Sequence, residues 1–346
     1  SGFGNSLVNG AVYTMTVSAT DAASNAATPV SNTLITYDTT PPDTNLDSKP
    51  NDPSSSKIAV FTFTSPDPTA TFECQIDGGS WEDCESPQTY TGLSDGNHTF
   101  KVRATDAAGN TGDEVSYTWV IITSKPVISS VTPASSSTVG SGFTANYTLS
   151  KTVASGSITF TRTGGSADGA THIYNFASGD KTTGAHSITR ATLESGFGNS
   201  LVNGAVYTMT VSATDAASNA ATPVSNTLIT YDTTPPVISS VTPASSSTVG
   251  SGFTANYTLS KTVASGSITF TRTGGSADGA THIYNFASGD KTTGAHSITR
   301  ATLESGFGNS LVNGAVYTMT VSATDAASNA ATPVSNTLIT YDTTPP

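Results

Sequence analysis

Residues 206–219 run Val-Tyr-Thr-Met-Thr-Val-Ser-Ala-Thr-Asp-Ala-Ala-Ser-Asn. Apolar side chains at Tyr207, Met209 and every second position after them alternate with threonine and serine, which predicts a half-buried β-strand. The Asp-Ala-Ala-Ser-Asn that follows is typical of a turn, because Asp and Asn side chains bond to nearby backbone. The same stretch occurs unchanged at 12–25 and 316–329.

The repetition extends well beyond this stretch. Residues 126–235 and 236–345 are identical, and residues 1–42 repeat 195–236 without a change. A period of this size fits one small sandwich per repeat and is too long for solenoid units of about 20–50 residues. Because a site for chemistry is normally built once, copying on this scale favours a spacer or a multivalent surface.

Each full repeat contains about seven short strand patterns separated by Gly-, Ser- and Asp-rich turns. That density of strands predicts a two-sheet antiparallel β-sandwich, so we expect an all-β fold. We find no helical period and expect no helix. In the first full repeat the predicted strands are Val127–Val131, 143–149, 158–160, His172–Phe176, Gly184–Ile188, 206–213 and Val224–Tyr231.

Prolines mark the domain boundaries. Thr-Tyr-Asp-Thr-Thr-Pro-Pro occurs at 36–42, 230–236 and 340–346, and adjacent prolines hold the backbone extended and cannot continue a sheet. Short linkers of this kind are semi-rigid, so we expect tandem sandwiches arranged like beads on a string. We expect the joint at Ile122 and Lys125 to be less stiff, because Ile and Lys replace the Asp and the first Pro.

This pattern predicts four parts. They are 1–42 as the last two strands of a repeat, 43–125 as a distinct domain, and 126–235 and 236–346 as identical repeats.

The distinct unit contains both cysteines of the chain, Cys74 and Cys84. In a hairpin centred on Gly79 they would face each other across the two strands, within reach of a disulfide. We therefore predict a disulfide, which implies an oxidising compartment and a gain of about 2–3 kcal/mol from closing a short loop. Two thiols without a nearby His pair do not make a zinc site.

The charge of the chain excludes some partners. The net charge is −12, and residues 43–125 carry 13 acidic against 5 basic side chains. An acidic chain without a basic cluster argues against binding to nucleic acid or to an anionic membrane surface. No apolar run is long enough to span a bilayer, so we expect no membrane insertion in this segment. We expect secretion and anchoring signals to lie outside it.

Two motifs together carry a family resemblance. Thr-Asp-Ala-Ala-[Ser/Gly]-Asn occurs at 20–25, 105–110, 214–219 and 324–329, usually followed by Asp-Thr-Thr-Pro-Pro. The combination resembles the bacterial immunoglobulin-like (Big-type) tandem domains of large secreted or surface-attached, adhesin-like proteins. The resemblance implies immunoglobulin-like sandwiches outside the cell, but says little about molecular function. It also implies that Tyr207 and its equivalents Tyr13 and Tyr317 form tyrosine corners, with the ring in the core and the hydroxyl on nearby backbone.

The resemblance further implies calcium at the joints between domains. Ca²⁺ prefers six to eight oxygen ligands, several of them carboxylates. Alternatively, these side chains only close turns and cap the linker backbone. The candidate ligands are Asp21, Asp38, Asp106, Asp215, Asn219, Asp232, Asp325 and Asp342.

We find no arrangement of nucleophile, base or metal ligands in the sequence and predict that the segment is not an enzyme. The leading hypothesis is a structural stalk or filament whose partners are other copies of the same kind of chain. The alternative is a multivalent adhesion module for a glycan or a host surface protein, which needs solvent-exposed rings such as Tyr174 or Trp81. Residues 1–42 are either the end of a truncated domain or strands that complete a neighbouring molecule, and we favour truncation.

Overall fold

A computed structural model describes residues 6–345. Contacts between residues divide the chain into two compact units, one of residues 1–125 and 214–220, the other of 126–213 and 221–346. The described helices are eight residues at most, and none is long and apolar enough to cross a membrane. The fourfold division made from the sequence remains a prediction.

The first unit opens with a two-stranded antiparallel sheet. Strands β1 (Val12–Val17) and β2 (Val30–Thr36) pair with each other, with Val17 opposite Val30.

A β-sandwich follows in the first unit. Its strands are β3 (Asn45–Ser48), β4 (Ala59–Thr64), β5 (Thr71–Ile76), β6 (Glu82–Cys84), β7 (Gln88–Tyr90), β8 (Gly96–Thr105) and β9 (Val115–Ile121). One sheet has the order β3-β4-β7 and the other β6-β5-β8-β9. Between them lies an aromatic core in which Phe61 stacks on Phe100 at 3.9 Å between ring centroids and contacts Trp119 edge-on.

The predicted disulfide is confirmed. Cys74 and Cys84 are bonded, with their Cα atoms 5.8 Å apart. The predicted register is wrong, however, because Cys74 lies opposite Glu82 and Cys84 opposite Phe72. Asp77 and Gly78 both have positive φ, so the turn is centred on this Asp-Gly pair rather than on Gly79. The disulfide therefore crosses the ladder diagonally.

The second unit contains two sandwiches of the same design. In the first, β10 (Ile128–Thr132), β12 (Thr144–Leu149) and β15 (Gly184–Thr189) form a three-stranded sheet. The five-stranded sheet has the order β11-β17-β16-β13-β14, made of β11 (Thr138–Val139), β13 (Ser155–Gly165), β14 (His172–Asn175), β16 (Ala205–Thr214) and β17 (Val224–Tyr231). A helix, α1 (Arg190–Phe197), joins β15 to β16.

The second sandwich repeats these elements one period later. They are β18 (Ile238–Thr242), β19 (Thr248–Val249), β20 (Thr254–Leu259), β21 (Ser265–Gly275), β22 (His282–Asn285), β23 (Gly294–Thr299), α2 (Arg300–Phe307), β24 (Ala315–Thr324) and β25 (Val334–Tyr341). Short 3₁₀ turns occupy Ser178–Lys181 and Ser288–Lys291.

The alternation in the sequence explains the two-layer packing. Along β16 and β24 every second side chain is buried, beginning with Ala205 and Ala315. Each sandwich of the second unit buries a continuous apolar cluster between its two sheets. The predicted all-β class of tandem immunoglobulin-like antiparallel sandwiches is therefore confirmed.

Two details differ from the prediction. The helix α1 was not expected, but it has a clear start, where the Thr189 hydroxyl accepts the Thr192 N–H, and a clear end at Gly198, whose φ is 74°. Only Leu193 of this helix is buried, so eight residues leave no periodic apolar pattern to detect. In addition, β11 pairs with β17 in parallel.

The tyrosine corner is confirmed at Tyr207 and Tyr317, whereas at Tyr13 the hydroxyl bond forms but the ring is only half-buried. The ring of Tyr317 is buried, and its hydroxyl accepts the Val312 N–H at 2.9 Å and donates to Asp278 at 2.5 Å. Asp278 also contacts the ring of His282, at 2.7 Å from Nε2. Burial by itself raises the pKa of Asp278, but the hydrogen bonds from Tyr317 and His282 outweigh it and lower the pKa to about 2.

The Tyr317→Phe substitution tests this network. It leaves the buried Asp278 carboxylate without one donor and the Val312 N–H without its acceptor, so we expect a loss of about 2 kcal/mol in the free energy of unfolding. The matched control is Tyr13→Phe, because Tyr13 has the same neighbours in sequence but lies on an exposed hairpin, where its hydroxyl accepts the Val8 N–H. Urea denaturation measures both, and equal effects would contradict the role of Asp278.

Candidate functional site at the turns and linkers

The Asp-x-x-x-Asn turn closes on its own carboxylate. Asp215 Oδ1 accepts the N–H groups of Ala217 at 3.0 Å and of Asn219 at 2.9 Å. The same two bonds form at Asp21, Asp106 and Asp325. The residue before the Asn has a positive φ, 66° at Ser218 and 88° at Gly109, which explains why Gly replaces Ser there without loss.

The asparagine of the turn has a second role. Its Nδ2 carries two N–H groups, of which one bonds to the Asp of its own turn and the other reaches a backbone carbonyl of a linker. The linker bonds are Asn110 to Asp38 O (3.1 Å) and Asn219 to Ile122 O (2.7 Å) in the first unit, and Asn329 to Asp232 O (2.9 Å) in the second. Because the acceptor is a backbone carbonyl, Ile122 can accept this bond as well as the linker residues Asp38 and Asp232 can.

A lysine joins two of the predicted calcium ligands in the second unit. Lys261 Nζ lies 2.6 Å from Asp232 Oδ2, 2.7 Å from Asp325 Oδ2 and 2.7 Å from Thr234 O. The Asp325 side chain is 2% exposed, so the lysine compensates a nearly buried carboxylate. The ammonium occupies the space between the two carboxylates, and this arrangement does not fit a calcium ion.

The charges of this group support one another. Burial disfavours the charged form of Lys261, but the hydrogen bonds and charges of Asp232 and Asp325 outweigh it and raise its pKa. Burial likewise raises the pKa of Asp325, and the bonds from Lys261 and Asn329 more than reverse this, so its pKa is lowered. Lys261 and Asp325 are therefore both ionised in the neutral range.

In the first unit, the loop that corresponds to the Lys261 loop carries an acidic side chain instead of a lysine. The loop between β4 and β5 carries Asp67, and a cavity of about 270 Å³ is lined by Asp38, Asp67 and Asp106 among others. Asp67 Oδ1 is already engaged by the N–H and hydroxyl of Thr69. Within residues 6–345, no group of three or more His, Cys, Asp or Glu side chains is arranged to hold a metal ion.

The remaining calcium candidates make local bonds. Asp21 bonds to its own turn, and Asp342 Oδ1 accepts the Thr344 N–H at 2.8 Å. Asp215 and Asn219 contact each other through Nδ2. Calcium binding thus remains a prediction, and these contacts are those expected if the side chains close turns.

Close backbone packing accompanies the polar contacts in the second unit. A Cβ built on Gly140 would lie 2.2 Å from the carbonyl oxygen of Ala327, in the turn that also holds Asn329. The identical Gly250 has only the Asp342 carbonyl nearby, at 3.6 Å. In the first unit, a Cβ on Gly112 would lie 2.0 Å from Pro42 O. These glycines allow a turn or loop to contact another segment directly.

Sequence reasoning missed Lys261 and Gly140. Both sit in segments that are identical in the two repeats, so the sequence does not show which part of the chain each residue contacts. Lysine in a polar turn is normally a solvated residue, and only the distance between its Nζ and the two carboxylates identifies its role.

The aromatic rings proposed for a glycan site are largely covered. Tyr174 is 7% exposed and its hydroxyl donates to Asp180 at 2.6 Å, so it lacks the exposed ring that a glycan site needs. Trp81 is partly exposed, but the guanidinium of Arg103 lies over its ring, 4.3 Å from the centroid.

No family model matches the chain, and no curated protein matches it. Among solved structures, the chain is similar to the FN1-FN3 domains of chicken CNTN1 at 12% identity, covering 87% of this chain and 99% of that one, with a TM-score of 0.35. It is also similar to the fibronectin(III)-like modules of CbhA from Clostridium thermocellum at 16% identity, covering 55% of this chain and 95% of that one, with a TM-score of 0.34. At these values the likenesses carry no argument about function.

The Lys261→Met substitution tests the charged group. It leaves the buried Asp325 carboxylate without its cation and beside Asp232, so we expect a loss of about 2 kcal/mol in the free energy of unfolding. The matched control is Lys291→Met, because Lys291 makes no ion pair among residues 6–345.

Calorimetric unfolding of the two variants, with and without added Ca²⁺, provides the measurement. An unchanged midpoint for Lys261→Met would contradict the assigned role of the lysine. A rise in the wild-type midpoint on adding Ca²⁺ would support the calcium prediction at another joint.

Proposed function

We propose that this chain is a non-enzymatic structural segment of an extracellular or cell-surface protein. Its sandwiches act as spacers in a stalk or filament of the bacterial immunoglobulin-like type. Its partners are other copies of the same kind of chain, and its task is to hold whatever it carries at a defined distance.

One observation carries the proposal: the Asn amide of a turn bonds to the backbone of a linker at Asp38, Ile122 and Asp232. A linker fixed in this way cannot swing freely, and a spacer that transmits position or force needs joints of this kind. In the second unit, Lys261 and Gly140 add an ion pair and a close backbone contact to the same joint.

The chemistry of the chain supports a location outside the cell. The Cys74–Cys84 disulfide persists in oxidising compartments and is rare in the cytosol.

Adhesion to a glycan is the weaker candidate, because the ring of Tyr174 is buried and that of Trp81 is covered on one face by Arg103. We therefore favour the spacer.

The Gly140→Ala substitution tests whether the joint in the second unit is held by close packing. Its new methyl group would collide with the Ala327 carbonyl, so the joint must open or shift. Spin labels attached through Ser129→Cys and Ser239→Cys, equivalent exposed positions in the two repeats, report the distance between them. We expect a narrow distance distribution in the parent chain and a broader or displaced one in Gly140→Ala.

The control is Gly250→Ala, which has the same neighbours in sequence but meets only ordinary contact distances. It should leave the distribution unchanged. A broad distribution in the parent chain would contradict the spacer proposal, because the repeats would then move independently.

A further inference from the structure

A small cavity gives access to the disulfide of the first unit. The cavity has a volume of about 150 Å³, and both Cys74 and Cys84 line it, together with Gly79 and Tyr90 among others. Cys74 is 3% exposed, whereas Cys84 is only partly buried. A small molecule that enters the cavity therefore meets Cys84 first.

Acidic side chains lie beside this disulfide. In the pairing of β5 with β6, Glu82 lies opposite Cys74, and Cys84 follows two residues later on the same strand as Glu82. Because alternate residues of a strand point to the same face of the sheet, Glu82 shares the face that carries the disulfide. Asp83 also lines the cavity. The way to the sulfur atoms therefore passes two carboxylates.

The described residues that line the cavity include no lysine or arginine to offset these charges. The arginine of the neighbouring strand β8, Arg103, lies opposite Glu73, and its Nε donates to the Glu73 carboxylate at 2.9 Å. Glu73 precedes Cys74 on β5, so its side chain points to the other face of the sheet. Arg103 also covers the ring of Trp81. The surroundings of the disulfide are therefore negatively charged.

The phenol of Tyr90 senses the same negative charge. Tyr90 lines the cavity, and its pKa is raised above the ordinary value. Burial is the largest cause, a hydrogen bond with Gln88 opposes it, and the charge of Glu82 raises the pKa further. Burial and the Glu82 carboxylate therefore both disfavour a second anion inside the cavity.

Thiol–disulfide exchange places anions at this position. A thiolate attacks one sulfur of the disulfide, and the electron pair of the S–S bond leaves on the other sulfur. Attack on Cys84 Sγ forms a mixed disulfide at Cys84 and releases Cys74 as a thiolate, which then takes a proton from water. Because the attacking and the leaving sulfur both carry negative charge, Glu82 and Asp83 raise the barrier unless the reagent brings a positive charge of its own.

We propose that the Cys74–Cys84 disulfide is a charge-selective exchange site, at which Cys84 accepts small aminothiols and rejects thiols that carry a carboxylate or a sulfonate. The ammonium group of the aminothiol pairs with Glu82 or Asp83 while its thiolate attacks Cys84. A second aminothiol then attacks the sulfur that the first one brought, which releases the disulfide of the reagent and leaves both cysteines reduced. The exchange is separate from the spacer role, and either can hold without the other.

The test compares the reaction of the full chain with cysteamine, an aminothiol, and with mercaptoethanesulfonate, a sulfonated thiol. Samples quenched with acid are analysed by mass spectrometry, and each rate is divided by the thiolate concentration to remove the difference in thiol pKa. At low ionic strength we expect cysteamine to react at least about tenfold faster, because reagent charges of opposite sign meet the two carboxylates. In about 1 M salt this ratio should fall at least about threefold, because the charges are screened. Peptide mapping should locate the first adduct on Cys84.

The variant that removes the selectivity is Glu82→Gln with Asp83→Asn. Both side chains are exposed, so the chain still folds, and we expect the ratio of the two rates to fall below about threefold. The matched control is Asp43→Asn with Asp113→Asn, which removes two exposed carboxylates of the same sandwich that lie outside this cavity. It should keep the ratio within about twofold of the parent value, because distant surface charges are screened.

Several results would overturn the proposal. One is that neither reagent reacts with the folded chain, and another is that both react at equal rates per thiolate. A preference for cysteamine that the control variant loses as fully as Glu82→Gln with Asp83→Asn would assign the selectivity to the net charge of the chain. A first adduct on Cys74 would contradict the assigned point of attack.

Discussion

The joints of this molecule depend on the two N–H groups of one asparagine amide. One closes the turn on its own aspartate, and the other binds a linker carbonyl, as at Asn329 with Asp325 and Asp232. The turn must be closed before the amide is aimed at the linker, and closing it requires a residue with positive φ just before the Asn. The backbone conformation of the turn therefore determines whether the asparagine amide can reach the linker.

Identical sequence does not mean identical surroundings in this chain. Gly140 and Gly250 have the same neighbours in sequence, yet only Gly140 lies against another turn. Met15 and Met209 likewise differ only in what covers them. Repetition therefore supplies internal controls, because a substitution at one copy has a chemically matched partner whose environment differs.

The strands and the sandwich could be predicted from the sequence because alternation records burial directly, as in β16 and in Val224–Tyr231, which the structure places as predicted. The disulfide followed from the spacing of Cys74 and Cys84, but its register did not, since the Asp77-Gly78 turn was not recognised. The helix α1 could not be predicted because a single buried side chain, Leu193, produces no periodic apolar pattern.

The candidate site could be predicted only in part. The sequence identified the recurring Asp and Asn, yet it could not tell ligands from turn closers, because both roles use the same oxygens. The decisive partner, Lys261, is distant in sequence from Asp232 and Asp325, and a lysine in a polar turn carries no signal of such a contact. Long-range geometry of this kind requires the folded structure.

The central claim is that the asparagine amide fixes the joint. Residual dipolar couplings test it most directly, measured on chains in which only residues 126–235 or only residues 236–346 carry isotope labels. The account predicts one common alignment tensor for the two repeats, and two different tensors in Asn329→Leu, which removes the bond to the Asp232 carbonyl. Different tensors in the unsubstituted chain, or a common tensor that survives in Asn329→Leu, would contradict it.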